Sequence, residues 1–270
     1  MRAALAFVLL CGAVLVAGAA APVAFVADIR GNATIEGNGR LTFLAELAPG
    51  TRILLGSHAS ISITYAATGA EFTLTGPGEY LVMPAEVRAE KGATPKKRSV
   101  STLSDTGVVA QASRTATASL RMRGLPPPEK KIALQFPVDT RVSTLQPAPR
   151  WMGEADGTYT LTLTDGKGKE VWKGSAHPES KLPVRLSAAT RYRWTVMTAQ
   201  GGLGEAHFET LPAEAIARAE RSRASAANFP GRVMHAFVLQ EIGATQEARE
   251  AWSALARERP DLPELSALAR

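Results

Sequence analysis

Residues 47–82 read LAPGTRILLGSHASISITYAATGAEFTLTGPGEYLV, and this stretch decides the fold. Ile61, Ile63 and Tyr65 alternate with small polar residues, and Phe72 and Leu74 repeat the pattern. A period of two is that of a half-buried strand with one dry face. Pro49-Gly50, Gly56-Ser57, Thr68-Gly69 and Gly76-Pro77-Gly78 punctuate the strands as turns. The stretch carries no reactive constellation, so it points to architecture rather than to chemistry.

The pattern extends toward the N-terminus. Phe25–Gly31 and Ala33–Glu36 are expected strands, Gly37-Asn38-Gly39 is a hairpin signal, and Leu41 and Phe43 alternate after it. Short strands at spacings near ten residues predict an antiparallel sandwich or barrel. The motifs D-I-R-G-N-A-T-I, L-A-P-G-T-R-I, A-S-I-S-I-T-Y and L-T-G-P-G-E-Y-L-V resemble the FecR-like domain of bacterial envelope proteins over residues 23–87. The resemblance implies a compact β-structure on the periplasmic side. In the namesake regulators it relays contact from an outer-membrane receptor to a sigma-factor system. This chain departs from them in showing no N-terminal helical domain and no internal transmembrane helix. The first domain is assigned to residues 22–124. Within it Glu90–Arg98 (EKGATPKKR) reads as an exposed loop, and Gly107–Val109 and Ala118–Met122 read as completing strands. Pro126-Pro127-Pro128 marks a stiff hinge over residues 125–131.

Residues 132–212 read as a second β-domain. Ile132, Leu134 and Phe136 alternate, as do Tyr159, Leu161 and Leu163. Val171-Trp172 returns from the turn at Asp165–Lys169. Leu182, Val184 and Leu186, then Tyr192, Trp194 and Val196, then Ala206 and Phe208 supply further strands. About seven strands in this length match an immunoglobulin-like sandwich. The motifs P-A-P-R-W, Y-T-L-T-L-T-D and A-T-R-Y-R-W-T-V resemble a fibronectin type III-like domain, which implies a spacer or adhesion module. Trp151 and Trp194 are expected in its core. Trp172, beside a turn, is a candidate for stacking on a sugar or for packing at the sheet edge.

From Ala213 the period becomes helical. Ala213–Ala227 predicts one helix, Pro230-Gly231 a break, Val233–Ile242 a second helix, and Gly243 its end. Thr245 is expected to cap a third helix, where Ala248, Ala251, Trp252 and Leu255 form one apolar face and Glu247 suits the positive helix start. Pro260 stops it, and Pro263–Leu268 begins a short fourth helix. The run A-F-V-L-Q-E-I-G-A-T-Q-E-A-R-E-A-W-S-A-L-A-R-E-R-P-D resembles a single tetratricopeptide repeat through Ala236, Gly243, Ala248, Trp252 and Pro260. The alternatives for this tail, residues 213–270, are a protein-binding groove or an appendage packed on itself or on the sandwich.

Met1-Arg2, the apolar run Ala3–Val16 and the small residues Ala17-Gly18-Ala19 read as a secretory signal over residues 1–21, with an uncleaved membrane anchor as the alternative. Cys11, the single cysteine, lies within that segment, so an exported chain would carry neither disulfide nor thiol nucleophile. The formal net charge is +6, and residues 85–131 hold ten Lys and Arg against four Asp and Glu, so the basicity is concentrated there. The candidate binding surface is Arg88, Lys91, Lys96, Lys97, Arg98 and Trp172. An envelope protein is the first expected partner, with an anionic envelope polymer or membrane surface as the second. No nucleic acid is expected, because no nucleic-acid motif accompanies the charge.

His58, His177, His207 and His235 form no H-E-x-x-H or close ligand spacing, and no G-x-S-x-G elbow, phosphate loop or dinucleotide fingerprint occurs. No catalytic, cofactor-binding or metal-binding residue is therefore assigned. The expected protein is mainly β, with a FecR-like β-domain, an immunoglobulin-like sandwich and a C-terminal helical, repeat-like tail. Its expected role is that of a non-enzymatic, periplasmic binding scaffold or adaptor. A signalling sensor of FecR type is the alternative, and an envelope-glycan hydrolase the third.

Overall fold

A computed structural model describes residues 21–37, 39–98, 132–153, 157–199 and 201–270. The mainly β expectation holds: seventeen strands in several largely antiparallel sheets form the described part of the chain up to Thr210, and four short helices follow them. The expected secretory leader, the expected strands at 107–109 and 118–122 and the expected hinge at Pro126–Pro128 lie outside the described residues. No helix among the described residues is long and apolar enough to cross a membrane.

The first module holds ten strands in two five-stranded sheets. One sheet has the order β10-β7-β6-β1-β4, built from β1 (Ala24–Arg30), β4 (Glu46–Leu47), β6 (Ser60–Tyr65), β7 (Glu71–Thr75) and β10 (Lys96–Arg98). The other has the order β3-β2-β5-β8-β9, built from β2 (Ala33–Ile35), β3 (Gly39–Arg40), β5 (Arg52–Leu55), β8 (Gly78–Val82) and β9 (Val87–Lys91). All their ladders are antiparallel. Val26, Ile53, Ile61, Ile63, Leu74 and Tyr80 fill the space between the sheets. This is the alternating core that the quoted stretch announces. Two local expectations are corrected. Leu41 and Phe43 are buried but lie outside any strand. Glu90–Arg98 is no loop: it contains the end of β9, a turn and β10. Gly92 makes that turn with φ of 100°, and an added Cβ would lie 2.7 Å from Pro77 O.

The second module holds seven strands. β12 (Thr140–Val142), β17 (Leu203–Thr210), β16 (Arg191–Thr198), β14 (Tyr159–Asp165) and β15 (Glu170–Ala176) form one sheet in that order. β12 lies parallel to β17, and the other ladders are antiparallel. β11 (Leu134–Phe136) pairs with β13 (Arg150–Trp151) in a small second sheet. Trp194 is fully buried, and its indole N–H donates to Pro137 O at 2.8 Å. Trp151 packs edge-on to Tyr159 with ring centroids 5.3 Å apart. The strand expected at residues 182–186 does not form. Leu182 and Leu186 are buried, but Pro183 has no N–H to give to a ladder, and neither has Pro147, which faces Leu182. Isolated bonds from Leu182 N to Pro147 O and from Leu186 N to Leu145 O hold the segment instead.

The helices are α1 (Ala213–Ala224), α2 (Phe229–Glu241), α3 (Thr245–Glu258) and α4 (Pro263–Leu268). Pro230 does not break a helix but lies in the first turn of α2, where its missing N–H costs nothing. Asn228 is the N-cap and accepts from Gly231 N at 2.9 Å. Thr245 is not a cap either. It is the first residue of α3, and its hydroxyl meets that of Thr140 at 3.4 Å.

The tail is seated on both β-modules. β1 opens with the apolar run Ala24–Ala27, all four residues buried, so it is covered on both faces. Ala24 and Val26 face the sandwich core, whereas Phe25 and Ala27 join Phe43 under α2, α3 and α4. Phe25 meets Phe237 edge-on at 6.0 Å, and Phe237 meets Trp252 at 4.8 Å. Polar residues close the same interface. Asn228 Nδ2 donates to both oxygens of Glu71 at 3.0 Å, and Arg259 pairs with Asp28 and donates to Ile29 O at 2.8 Å. Toward the second module, Glu247 accepts from Ser143 N at 2.7 Å and from Ser143 Oγ at 3.0 Å. Arg150 pairs with Glu250 beside them.

Candidate functional site

Five of the six residues singled out in the sequence lie on two edge strands joined by the turn at Gly92. Arg88 and Lys91 lie on β9, the outer strand of one sheet of the first module, and Lys96, Lys97 and Arg98 form β10, the outer strand of the other. All five are exposed. Lys91 Nζ lies 2.8 Å from Glu79 Oε1, and that hydrogen bond holds its pKa above the ordinary lysine value. Lys97 Nζ stands 5.6 Å from the centroid of the Phe72 ring. Pairing with β7 turns the cations of β10 into a fixed row along the sheet edge rather than a loose loop, Lys97 on the Phe72 face and Lys96 and Arg98 on the other. Such a row blocks the addition of a foreign strand, and it also presents positive charge to an anionic surface.

Trp172 is not part of this row. It lies on β15 in the second module, half-buried on the core side, where its ring covers Gly174: an added Cβ there would come within 2.6 Å of the ring.

A concave surface of the second module is built from a different set of residues. It is a groove of about 910 Å³ on the outer face of the second module's main sheet. Its floor follows from strand alternation. Tyr192, Trp194 and Phe208 point into the core, so Arg191, Arg193, His207 and Glu209 point outward. The ladder sets Arg191 opposite Glu209 and Arg193 opposite His207, and parallel pairing brings Arg141 of β12 to the other side of Glu209. Thr164 completes the row beside Arg193. One wall is the β14–β15 turn, where Asp165 Oδ1 accepts from Lys167 N and Lys169 N, both at 2.9 Å. The other is the α2–α3 junction at Gly243 and Thr245.

The electrostatics of the groove are balanced. Arg141, Arg191 and Arg193 face Asp139, Asp165 and Glu209, so its formal charges cancel. The ion pairs are loose. Arg141 and Arg191 approach Glu209 at 4.0 and 3.6 Å, and Arg193 approaches Glu205 at 4.0 Å. Their side chains are 56%, 84% and 48% exposed, which leaves most guanidinium donors open to a ligand. The sequence signal for this site was the polar half of R-Y-R-W and E-A-H-F-E, whose aromatic half gave the core.

Among the described residues no three His, Cys, Asp or Glu side chains group as a metal ion would require. A serine–histidine contact among the described residues joins Ser222 Oγ and His235 Nδ1 at 2.7 Å, between α1 and α2. Ser222 is buried and also donates back to Ala219 O, so the pair ties two helices together rather than facing a groove. No protein-family model matches the chain, and neither does any of the curated proteins compared with it.

Proposed function

We propose that this chain is a non-enzymatic, exported protein of the bacterial cell envelope, periplasmic in location, that acts as a binding scaffold. The observation that carries the reading is the seating of the tail. Its helices bury Phe25 and Phe43 of the first module and hydrogen-bond Ser143 of the second, so two β-modules present their outer surfaces from one braced body. The two five-stranded sheets of the first module support a FecR-like reading. Seven strands around Trp151 and Trp194 support a fibronectin type III-like reading of the second. The contact of α2 with α3 across a short turn, with Ala236, Ala248 and Trp252 buried, supports a tetratricopeptide-like pair. In this arrangement the tail acts as a brace, and the partner surfaces lie on the β-modules.

The surface assigned to an anionic envelope polymer is the basic edge of β9 and β10. The test is retention of the full chain on a defined polyanion and on purified peptidoglycan, compared with the variant Lys96→Glu, Lys97→Glu, Arg98→Glu. Each cation near an anionic surface contributes about 1 kcal/mol, so the reading expects the triple variant to bind at least ~100-fold more weakly, and salt to weaken the parent. Equal retention of both proteins would remove this surface from the account.

A further inference from the structure

The groove on the second module's sheet is a second binding site, distinct from the basic edge in position and in chemistry. We infer that it takes a neutral, polyhydroxylated chain, a glycan strand laid across the sheet. This assignment rests on the reading of the chain as a binding protein, and it adds a ligand class to that reading.

Shape is the first argument. The groove crosses β12, β17, β16 and β14, three inter-strand spacings or ~14 Å, and it lies open on the sheet surface between the Asp165–Lys169 turn and Gly243. That form suits an extended chain rather than an enclosed small molecule.

Charge is the second. Three guanidinium groups against three carboxylates leave no net attraction for a polyanion, in contrast to the basic edge. The charges also alternate along a rung: Arg141, Glu209 and Arg191 follow one another across three strands. A ligand matching that pattern must donate and accept at closely spaced points, which is what a row of hydroxyl groups does. Planar guanidinium and carboxylate groups each offer two hydrogen-bonding atoms in one plane, a fit to vicinal hydroxyls.

Availability is the third. The guanidinium contacts with carboxylates at 3.6 to 4.0 Å fall outside hydrogen-bond range, and the Arg193 Nε bond to Thr164 Oγ1 is long at 3.5 Å, so the donors can turn to a ligand without breaking strong bonds. Asp165 is the exception. Its carboxylate is tied to two backbone amides and shapes the wall.

The experiment titrates the full chain with short chito-oligosaccharides, as the neutral probe, and with dextran sulfate, as the anionic one, by isothermal calorimetry. Saturable chito-oligosaccharide binding is expected, insensitive to moderate salt and to the triple substitution in β10. Arg193→Ala and His207→Ala are each expected to weaken it about tenfold, the effect of losing one hydrogen bond to a charged or strongly polar group. Both side chains are exposed, and Arg193→Lys, which keeps the charge but not the planar fork, separates hydrogen-bonding geometry from charge. Absence of saturable binding, or binding that Arg193→Ala leaves unchanged, overturns the assignment. If dextran sulfate still binds through β10 in that case, the scaffold reading stands and only the groove assignment falls. If neither probe binds, both fall.

Discussion

Arg259, at the C-terminal end of α3, pairs with Asp28 of β1, 231 residues earlier in the chain. The Arg259 side chain is only 9% exposed. It also donates to Ile29 O and to Asp261, and its guanidinium lies 5.3 Å from the Phe229 ring centroid. These contacts hold the guanidinium in its charged form. Removing one member of a buried pair leaves the other charge without compensation, at a cost of about 3–5 kcal/mol. Arg259→Ala is therefore expected to destabilise the protein by that amount in urea unfolding, and Arg259→Lys to recover only part of it, because a lysine cannot serve all three acceptors in one plane.

The junction with the second module depends on Glu247. Burial pushes its carboxyl above the usual carboxylate range, and the two donors of Ser143 oppose that shift. Ser143 is fully buried, so Glu247→Ala leaves an N–H and an O–H without a partner, each costing about 1–3 kcal/mol. Glu247→Gln keeps an acceptor oxygen and is expected to lose clearly less. The comparison is read from the urea midpoints of the two variants.

His235 gives the protein a pH dependence of defined sign. Burial, helped by the Arg223 charge, pushes its pKa down to about 4 from 6.5. The folded state thus favours the neutral ring, and the unfolded state binds the extra proton between those two values. Stability is full above pH ~6.5 and is lost as the pH falls through that window. The full shift corresponds to about 3 kcal/mol; partial exposure of the ring reduces this to the order of 1–2 kcal/mol. His235→Gln is expected to flatten the profile between pH 6.5 and 4 by that difference, measured as unfolding free energy against pH.

Gly92 tests whether the basic segment is built structure. Its left-handed backbone costs an L-residue roughly 1–2 kcal/mol, and the approach of a new Cβ to Pro77 O adds to that. Gly92→Ala is expected to lower the unfolding free energy by more than 2 kcal/mol, roughly, and to weaken polyanion binding by freeing β10. A loose loop at this point would tolerate the change.

Local pattern made most of the strands legible. The alternation in R-Y-R-W-T-V is the alternation of buried and exposed residues in β16, whereas S-I-S-I-T-Y alternates only in residue type: Ser62 and Thr64 of β6 are buried along with Ile61, Ile63 and Tyr65, so this strand is covered on both faces rather than half-buried. Lys96-Lys97-Arg98 reads as loop because it has no apolar member, and only its pairing with β7 makes it a strand. Leu182, Val184 and Leu186 have the right period, but the prolines around them remove ladder donors. The groove was half legible. The outward set Arg191, Arg193, His207 and Glu209 follows from the inward aromatics, whereas the arrival of Arg141 depends on a parallel pairing between distant segments. The tail's seat was the least legible feature. The structure buries Ala24–Ala27 of β1 on both faces, and no local signal identified α2 and α3 as the cover.

The brace is tested most directly by native-state hydrogen exchange on the full chain and on Phe25→Ala. Phe25 lies in the first module, yet its ring packs against Phe237 of α2. The account predicts that the truncation costs about 3–5 kcal/mol. Exchange should quicken through α2 and α3 and at Thr140–Val142 of β12, beside the Thr245–Glu247 junction. Unchanged protection of α2, α3 and β12, with loss confined to the first module, would contradict the brace.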